Sequence, residues 1–188
     1  MRIISGISKG KRILEPKDYN TRPLKDLTKE SIFNILVHSN KLKISLQNSN
    51  VLDLFSGVGS FGLECLSRGA GHVIFVENYV NALQVLQKNI LNLNYQGSYE
   101  VLEKNIIDNL DFKSIKKKFE IIFLDPPYKE KRLSSILDNI IKSNILNNEG
   151  IIIIHRHKKE KDEFPEKFEV IEEKTYGISR VIFGKYSK

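Results

Sequence analysis

The sequence predicts an α/β protein built on a doubly wound, mainly parallel sheet, opened by a small hairpin and helix and closed by a strand pair. Three observations carry that expectation. Short apolar runs alternate with segments of helical periodicity from Val51 to Ile154. The last two runs are joined by Thr175-Tyr176-Gly177 with no helix between them, so one late strand must run antiparallel. The run ending at Leu124 is apolar on both faces and stops at Asp125-Pro126-Pro127-Tyr128, where neither proline can donate to a ladder.

Taken in order, Arg2–Gly6 and Lys11–Leu14 are strand-like pieces around a Ser8-Lys9-Gly10 turn, which predicts an N-terminal hairpin. Pro23 biases Arg22 away from helix, so Tyr19 to Pro23 reads as a loop. A helix capped by Asp26 or Thr28 should run to about His38, with Ile32, Phe33 and Leu36 on its apolar side. After a polar connection, strands are expected at Val51–Phe55, Val73–Val76, Tyr99–Leu102, Ile121–Leu124 and Ile151–Ile154. Helices should lie between them at Phe61–Ser67, Asn81–Leu93 and Leu133–Ser143. Phe168–Ile171 and Ser179–Phe183 form the closing hairpin.

The 188 residues, 40% hydrophobic and 28% charged, suit one soluble domain with a sizeable core. No apolar run approaches the roughly 18 residues of a membrane span, and the start of the chain lacks a signal peptide's apolar region. A cytoplasmic monomer without a membrane partner is expected. Cys65 is the single cysteine, so no intrachain disulfide can form, and it reads as a small core residue. Four histidines and one cysteine give no zinc-type spacing, and no metal is expected.

The net charge of +7 is unevenly spread. Residues 1–43 carry ten Lys or Arg against four Asp or Glu, whereas residues 44–150 carry eleven against twelve. A division follows: a basic N-terminal extension, 1–43, suited to a polyanion such as RNA or DNA, and a main domain, 44–188.

Val51–Gly62 reads as strand, glycine turn and helix start. Gly57, Gly59 and Gly62 match G-x-G-x-x-G, and Glu77 stands 20 residues after Gly57 at the end of the second strand. That layout serves an adenosine cofactor, with the acid on the ribose hydroxyls. Nicotinamide dinucleotides and S-adenosylmethionine share it. Asp53, four residues before Gly57, could receive an ammonium group but would repel a pyrophosphate. The chain is also short for a dehydrogenase with its substrate domain. S-adenosyl-L-methionine is therefore the favoured cofactor.

Asp125-Pro126-Pro127-Tyr128, with Asp53-Leu54-Phe55-Ser56-Gly57-Val58-Gly59 upstream, resembles the class I methyltransferases that act on exocyclic amines of nucleobases. The chemistry accounts for these residue types. An exocyclic amine is a weak nucleophile because its lone pair is delocalised into the ring. Asp125 and the Pro126 carbonyl can each accept one N–H and stabilise the positive charge that develops on nitrogen. The Tyr128 ring can stack on an extruded base. Pyrimidine C5 chemistry would need a cysteine near the acceptor, and Cys65 lies elsewhere.

The resemblance extends to Arg2-Ile3-Ile4-Ser5-Gly6, Lys9-Gly10-Lys11-Arg12, Arg22-Pro23, Glu30–Asn34, Gly62–Ala70 and Tyr176-Gly177. With these the chain is similar to the bacterial 16S rRNA guanine-N2 methyltransferase family usually called RsmD. The resemblance implies a Rossmann-like seven-stranded methyltransferase sheet with an antiparallel last strand, and methyl transfer to a guanine N2 of 16S rRNA on the small ribosomal subunit. It implies a base-holding segment of Asp125, Pro126, Pro127 and Tyr128, and cofactor contacts from Asp53, Phe55, Ser56, Gly57, Gly59, Phe61, Glu77 and Asn105. It implies RNA contacts from Arg2, Lys9, Lys11, Arg12, Arg22 and Lys29. Leu24, Leu27 and Lys29 depart from the family pattern. His155-Arg156-His157-Lys158-Lys159 reads either as an added RNA contact or as a solvated strand end. The rival readings are an adenine-N6 methyltransferase on DNA or RNA, a dinucleotide-binding redox protein, and a non-catalytic RNA-binding module.

Overall fold

A computed structural model describes residues 1–16, 18, 24–42, 44–95, 98–108 and 110–186. Helix α1 (Asp26–His38) precedes an alternating series: β1 (Asn50–Leu54), α2 (Ser60–Ser67), β2 (His72–Glu77), α3 (Val80–Leu93), β3 (Tyr99–Glu103), β4 (Phe119–Leu124), α4 (Leu133–Ser143) and β5 (Leu146–His157). The closing hairpin is β6 (Phe168–Tyr176) and β7 (Ser179–Tyr186). One seven-stranded sheet results, in the order β3-β2-β1-β4-β5-β7-β6. The strands from β1 to β5 pair in parallel, and β7 runs antiparallel to both β5 and β6.

Alternation along the strands sorts the core into two layers. Val51, Phe75, Ile121, Phe123 and Ile153 face α1, α2 and α3, packing with Phe33, Phe61 and Leu86. Leu52, Ile74, Ile122, Leu124 and Ile154 face α4, packing with Ile136, Leu137 and Ile140. Phe119 also lies in the second layer, and between its pairing with Leu146 and that of Ile121 with Ile151 the β4–β5 register shifts, the extra residues lying in β5. The sheet is thus covered on both faces, as a doubly wound topology requires.

The N-terminal segment folds onto the first layer. Its expected hairpin is short: the Arg2–Arg12 antiparallel bridge is flanked by backbone hydrogen bonds from Ile3 N–H to Lys11, Gly10 N–H to Ile3 and Ile13 N–H to Met1, and other backbone groups of the segment are taken by helix side chains. Glu64 accepts the Ile4 and Ser5 N–H groups at 2.7 and 2.9 Å. Ser67 Oγ accepts the Ser8 N–H at 3.0 Å, and Asn89 Oδ1 accepts that of Leu14 at 2.8 Å. Ile3, Ile13, Ile32 and Phe33 are buried in the same core as the sheet. Helix α1 starts after Lys25 with no side-chain cap, so neither Asp26 nor Thr28 serves as one; Asp26 is instead the acid of the first turn.

Among the described residues no helix is long and apolar enough to cross a membrane. Cys65 is buried, as expected, and burial pushes its thiol well above the usual range.

Candidate active site

The order of strand addition reverses between β1 and β4: β2 and β3 are added on one side of β1, and β4 and β5 on the other. In open α/β sheets the crevice at such a point, beyond the strands' carboxyl ends, is where ligands bind. Leu54 lies in register with Leu124, and the Asp125 N–H donates to the Leu54 carbonyl at 3.3 Å. The glycine loop and the Asp125 segment are therefore direct neighbours. Between them opens a cavity of about 850 Å³, whose walls include Asp53, Phe55, Glu77, Asp125, Pro126 and Tyr128.

The loop leaving β1 is tightly specified. Phe55 takes a left-handed conformation (φ 58°), uncommon for a residue with a Cβ and a feature that clusters at functional sites. Gly57 follows at φ 55°, and a Cβ placed there would meet no atom within 4 Å. The backbone is thus bare where it passes the cavity. Gly59 and Gly62 have another task. A Cβ at Gly59 would lie 2.4 Å from Leu86, and one at Gly62 would lie 2.3 Å from the Phe75 ring, so the bare Gly59 lets the loop lie against α3 and the bare Gly62 lets α2 lie against β2. Of the expected cofactor residues, Gly59 shapes the loop from behind.

Asp53 is 1% exposed. Its Oδ2 accepts the Gly62 N–H at 2.9 Å, and its Oδ1 is buried with no hydrogen-bond partner. Burial raises its carboxyl well above the ordinary range; the Gly62 N–H opposes this, while Asp125 and Glu77 add to it. A buried acceptor without a donor, at a cavity wall shared with two further carboxylates, fits a cationic ligand. Glu77 is held by three backbone groups: its Oε2 accepts from Gly57 at 2.8 Å, and its Oε1 from Asn78 and Tyr79 at 2.9 and 2.8 Å. Ser56 Oγ is also buried without a partner. Phe61 forms an aromatic wall, stacked between Phe123 and Phe33 at centroid distances of 4.0 and 5.2 Å. The orphaned Asp53 oxygen, the bare Gly57 backbone and the preorganised Glu77 together suit S-adenosylmethionine, with its ammonium, methionyl chain and ribose.

Two expected contacts need correction. Asn105 lines the cavity, but its Oδ1 already accepts the Ile107 and Asp108 N–H groups at 3.0 and 3.3 Å. Its carbonyl builds the turn after β3, which leaves it unsuited to receive an adenine amine. Lys29 is fully buried: its Nζ donates to the Arg2 carbonyl at 2.7 Å and to Ser60 Oγ at 3.3 Å, and lies 3.7 Å from Glu64. It cannot reach RNA from there. Arg2, Lys9, Lys11 and Arg12 are exposed, and Arg22 lies outside the described residues.

Beyond β4, Pro126 is buried, Pro127 is exposed and Tyr128 is half-buried, with its ring edge-on to His157 at 4.8 Å. Of the stretch expected at a solvated or RNA-facing end, Lys158 and Lys159 are exposed, whereas its first residues underlie this segment. His155 and Arg156 are buried because β5 continues to His157 and stays paired with β7 through Ser179. Arg156 donates to the carbonyls of Pro127 and Glu130 at 3.1 and 2.9 Å and to Asp162 Oδ1 at 2.9 Å. His155 Nδ1 lies 2.9 Å from Asp125 Oδ1. Charged sequence suggested surface, and only the β5–β7 pairing reverses that.

This sheet order, with a cavity at the ends of β1 and β4, defines a Rossmann-like methyltransferase fold. The solved structure of yhhF from Escherichia coli superimposes with a TM-score of 0.80 at 23% identity, covering 100% of this chain and 98% of the other. The crystal structure of HI0767 from Haemophilus influenzae gives 0.76 at 28% identity, covering 100% and 99%. Residues 1–185 match the family described as conserved hypothetical protein 95, and the chain belongs to that family, the one its sequence resembles. Relatives named ribosomal RNA small subunit methyltransferase D include one from Haemophilus influenzae, 30% identical over 95% of this chain and 90% of its own length. Another, from Buchnera aphidicola, is 35% identical over 83% of this chain and 76% of its own length.

Proposed function

We propose that this chain transfers a methyl group from S-adenosyl-L-methionine to the exocyclic N2 amine of a guanine in 16S rRNA, acting on the small ribosomal subunit. The observation that carries this reading is the junction of Asp125 with the end of β1. It sets an amine-holding carboxylate in one cavity with the unpartnered Asp53 Oδ1. The relatives named as small subunit rRNA methyltransferases supply the substrate class.

When bound, the cofactor supplies an electrophilic methyl group on a sulfonium. Asp53 would hold its ammonium and Glu77 its ribose hydroxyls, and Phe55 and Phe61 would form the apolar walls around it. Asp125 and the Pro126 carbonyl each accept one N–H of the guanine amine, turning its lone pair toward the methyl group and stabilising the charge that develops on nitrogen. Asp125 can accept the proton that leaves nitrogen after transfer. Tyr128 stacks on the extruded base. The basic extension, residues 1–43, faces RNA through Arg2, Lys9, Lys11 and Arg12, all exposed, while its Met1, Pro16 and Leu24 close one side of the cavity. A ribosomal substrate puts the reaction in the cytoplasm.

The test is methyl transfer from labelled S-adenosylmethionine to small subunits lacking native modifications, with the product nucleoside identified by mass spectrometry. N2-methylguanosine is expected. N6-methyladenosine would establish the rival base instead, and failure to bind the cofactor would overturn the reading altogether.

A further inference from the structure

Three strand ends meet behind the Asp125 segment. Leu124 of β4 pairs with Ile154 of β5, and His155 pairs with Val181 of β7, so the residues just past these registers are brought together. Asp125 Oδ1 lies 2.9 Å from His155 Nδ1, and His155 Nε2 lies 2.9 Å from Ser179 Oγ. His155 is 2% exposed and is absent from the cavity wall. Its hydrogen bond into the site is to Asp125, and its ring also stands edge-on to Tyr128 at a centroid distance of 6.5 Å.

The chemistry of the chain is directional. An ionised carboxylate only accepts, so Nδ1 carries the proton and donates to Asp125. At Nε2 the Ser179 hydroxyl can donate or accept, so it anchors that side of the ring whichever role the nitrogen takes. Asp125 thereby sets the Nδ1 proton, and Ser179 holds the ring in place to deliver it. A carboxylate otherwise turns readily about its terminal torsion, which is broad and roughly two-fold. Pinning Oδ1 sets the plane of the group, and with it the direction in which the carboxylate meets an incoming amine.

We infer that His155, oriented by Ser179, is a positioning residue for methyl transfer: it fixes the Asp125 carboxylate plane toward the substrate amine. The inference rests on the amine-methylation reading proposed above. A displacement of about 1 Å in such a group can cost on the order of a hundredfold in rate, so a buried clamp on the acceptor affects turnover more than binding.

The experiment compares His155→Asn, His155→Gln and His155→Leu with the parent chain, using small subunits and labelled S-adenosylmethionine. The asparagine amide stands near the Nδ1 position and can still donate to Asp125; the glutamine amide stands near Nε2 and keeps only the Ser179 side. Expected are a fall in kcat of about tenfold to a hundredfold for the glutamine and leucine variants, the span for one lost hydrogen bond to a charged group. The asparagine variant should recover most of this, and KM for subunits and cofactor affinity should hardly move. Equal loss in the asparagine and glutamine variants would show a packing role and overturn the inference. Unchanged kcat in the leucine variant would overturn it too. Absence of transfer by the parent chain is a separate result that overturns the underlying reading, and this inference with it.

Discussion

Asp53 and Gly62 are joined by a 2.9 Å hydrogen bond from the Gly62 N–H to Asp53 Oδ2, while the other carboxylate oxygen is buried without a partner. The first turn of α2 therefore orients an acid that the apo-protein holds at a cost. Burial raises the folded-state pKa of Asp53 above its unfolded value. The folded chain binds this proton more tightly than the unfolded chain. Its contribution to stability is thus full below the unfolded pKa of about 3.9 and is lost as pH rises toward the raised folded value. Asp53→Asn keeps an acceptor for Gly62 and removes the ionisation. Urea midpoints of the cofactor-free proteins should show the variant gaining on the parent as pH rises above the unfolded value of about 3.9. A pH-independent difference would contradict the assigned cause.

Asp125→Ala removes an amine acceptor without touching Asp53 or Glu77. Its kcat should fall about a hundredfold to a thousandfold, the usual effect of deleting one preorganised electrostatic partner. Cofactor affinity by calorimetry should stay close to that of the parent. Near-normal turnover would remove Asp125 from the mechanism.

Gly57 and Gly62 should separate binding from stability. Gly57→Ala places a side chain in open space at φ 55°, a left-handed strain of about 1–2 kcal/mol, and its main effect should be weaker cofactor binding. Gly62→Ala drives a methyl into the Phe75 ring and into Val73, at 2.3 and 2.8 Å. Overpacking of this kind costs about 1–3 kcal/mol, and the variant should show a lower denaturant midpoint even without cofactor.

Glu64 is fully buried and accepts from Ile4, Ser5 and Arg68 beside the buried Lys29. Burial lowers the Lys29 ammonium's pKa, and Glu64 and then Asp26 oppose that shift. Glu64→Gln removes the countercharge and turns an amide donor toward a backbone N–H. Breaking such a buried arrangement costs about 3–5 kcal/mol. Chemical denaturation should record that loss, and proteolysis should cut first in the detached N-terminal segment.

Much of this protein is local and so was written in the sequence. Alternating apolar runs and helical spacing place every strand of the sheet, because burial on both faces demands continuous apolar strands. Gly57 to Gly62 and Asp125 to Tyr128 are contiguous motifs whose residue types report their backbone needs. What the sequence withheld depends on which strands are neighbours. Lys29, Arg156 and His155 look like surface residues one at a time, since charge normally seeks water. Each is buried because the fold supplies partners for its polar groups: Glu64 for Lys29, Asp162 with the Pro127 and Glu130 carbonyls for Arg156, Asp125 with Ser179 for His155. Asn105 looks like an available acceptor until its own turn occupies it. The sequence by itself determined the elements and the two motifs. Only the tertiary structure decided that β4 lies against β1 and β5 against β7, because strand order is set by packing of the whole sheet rather than by any local preference.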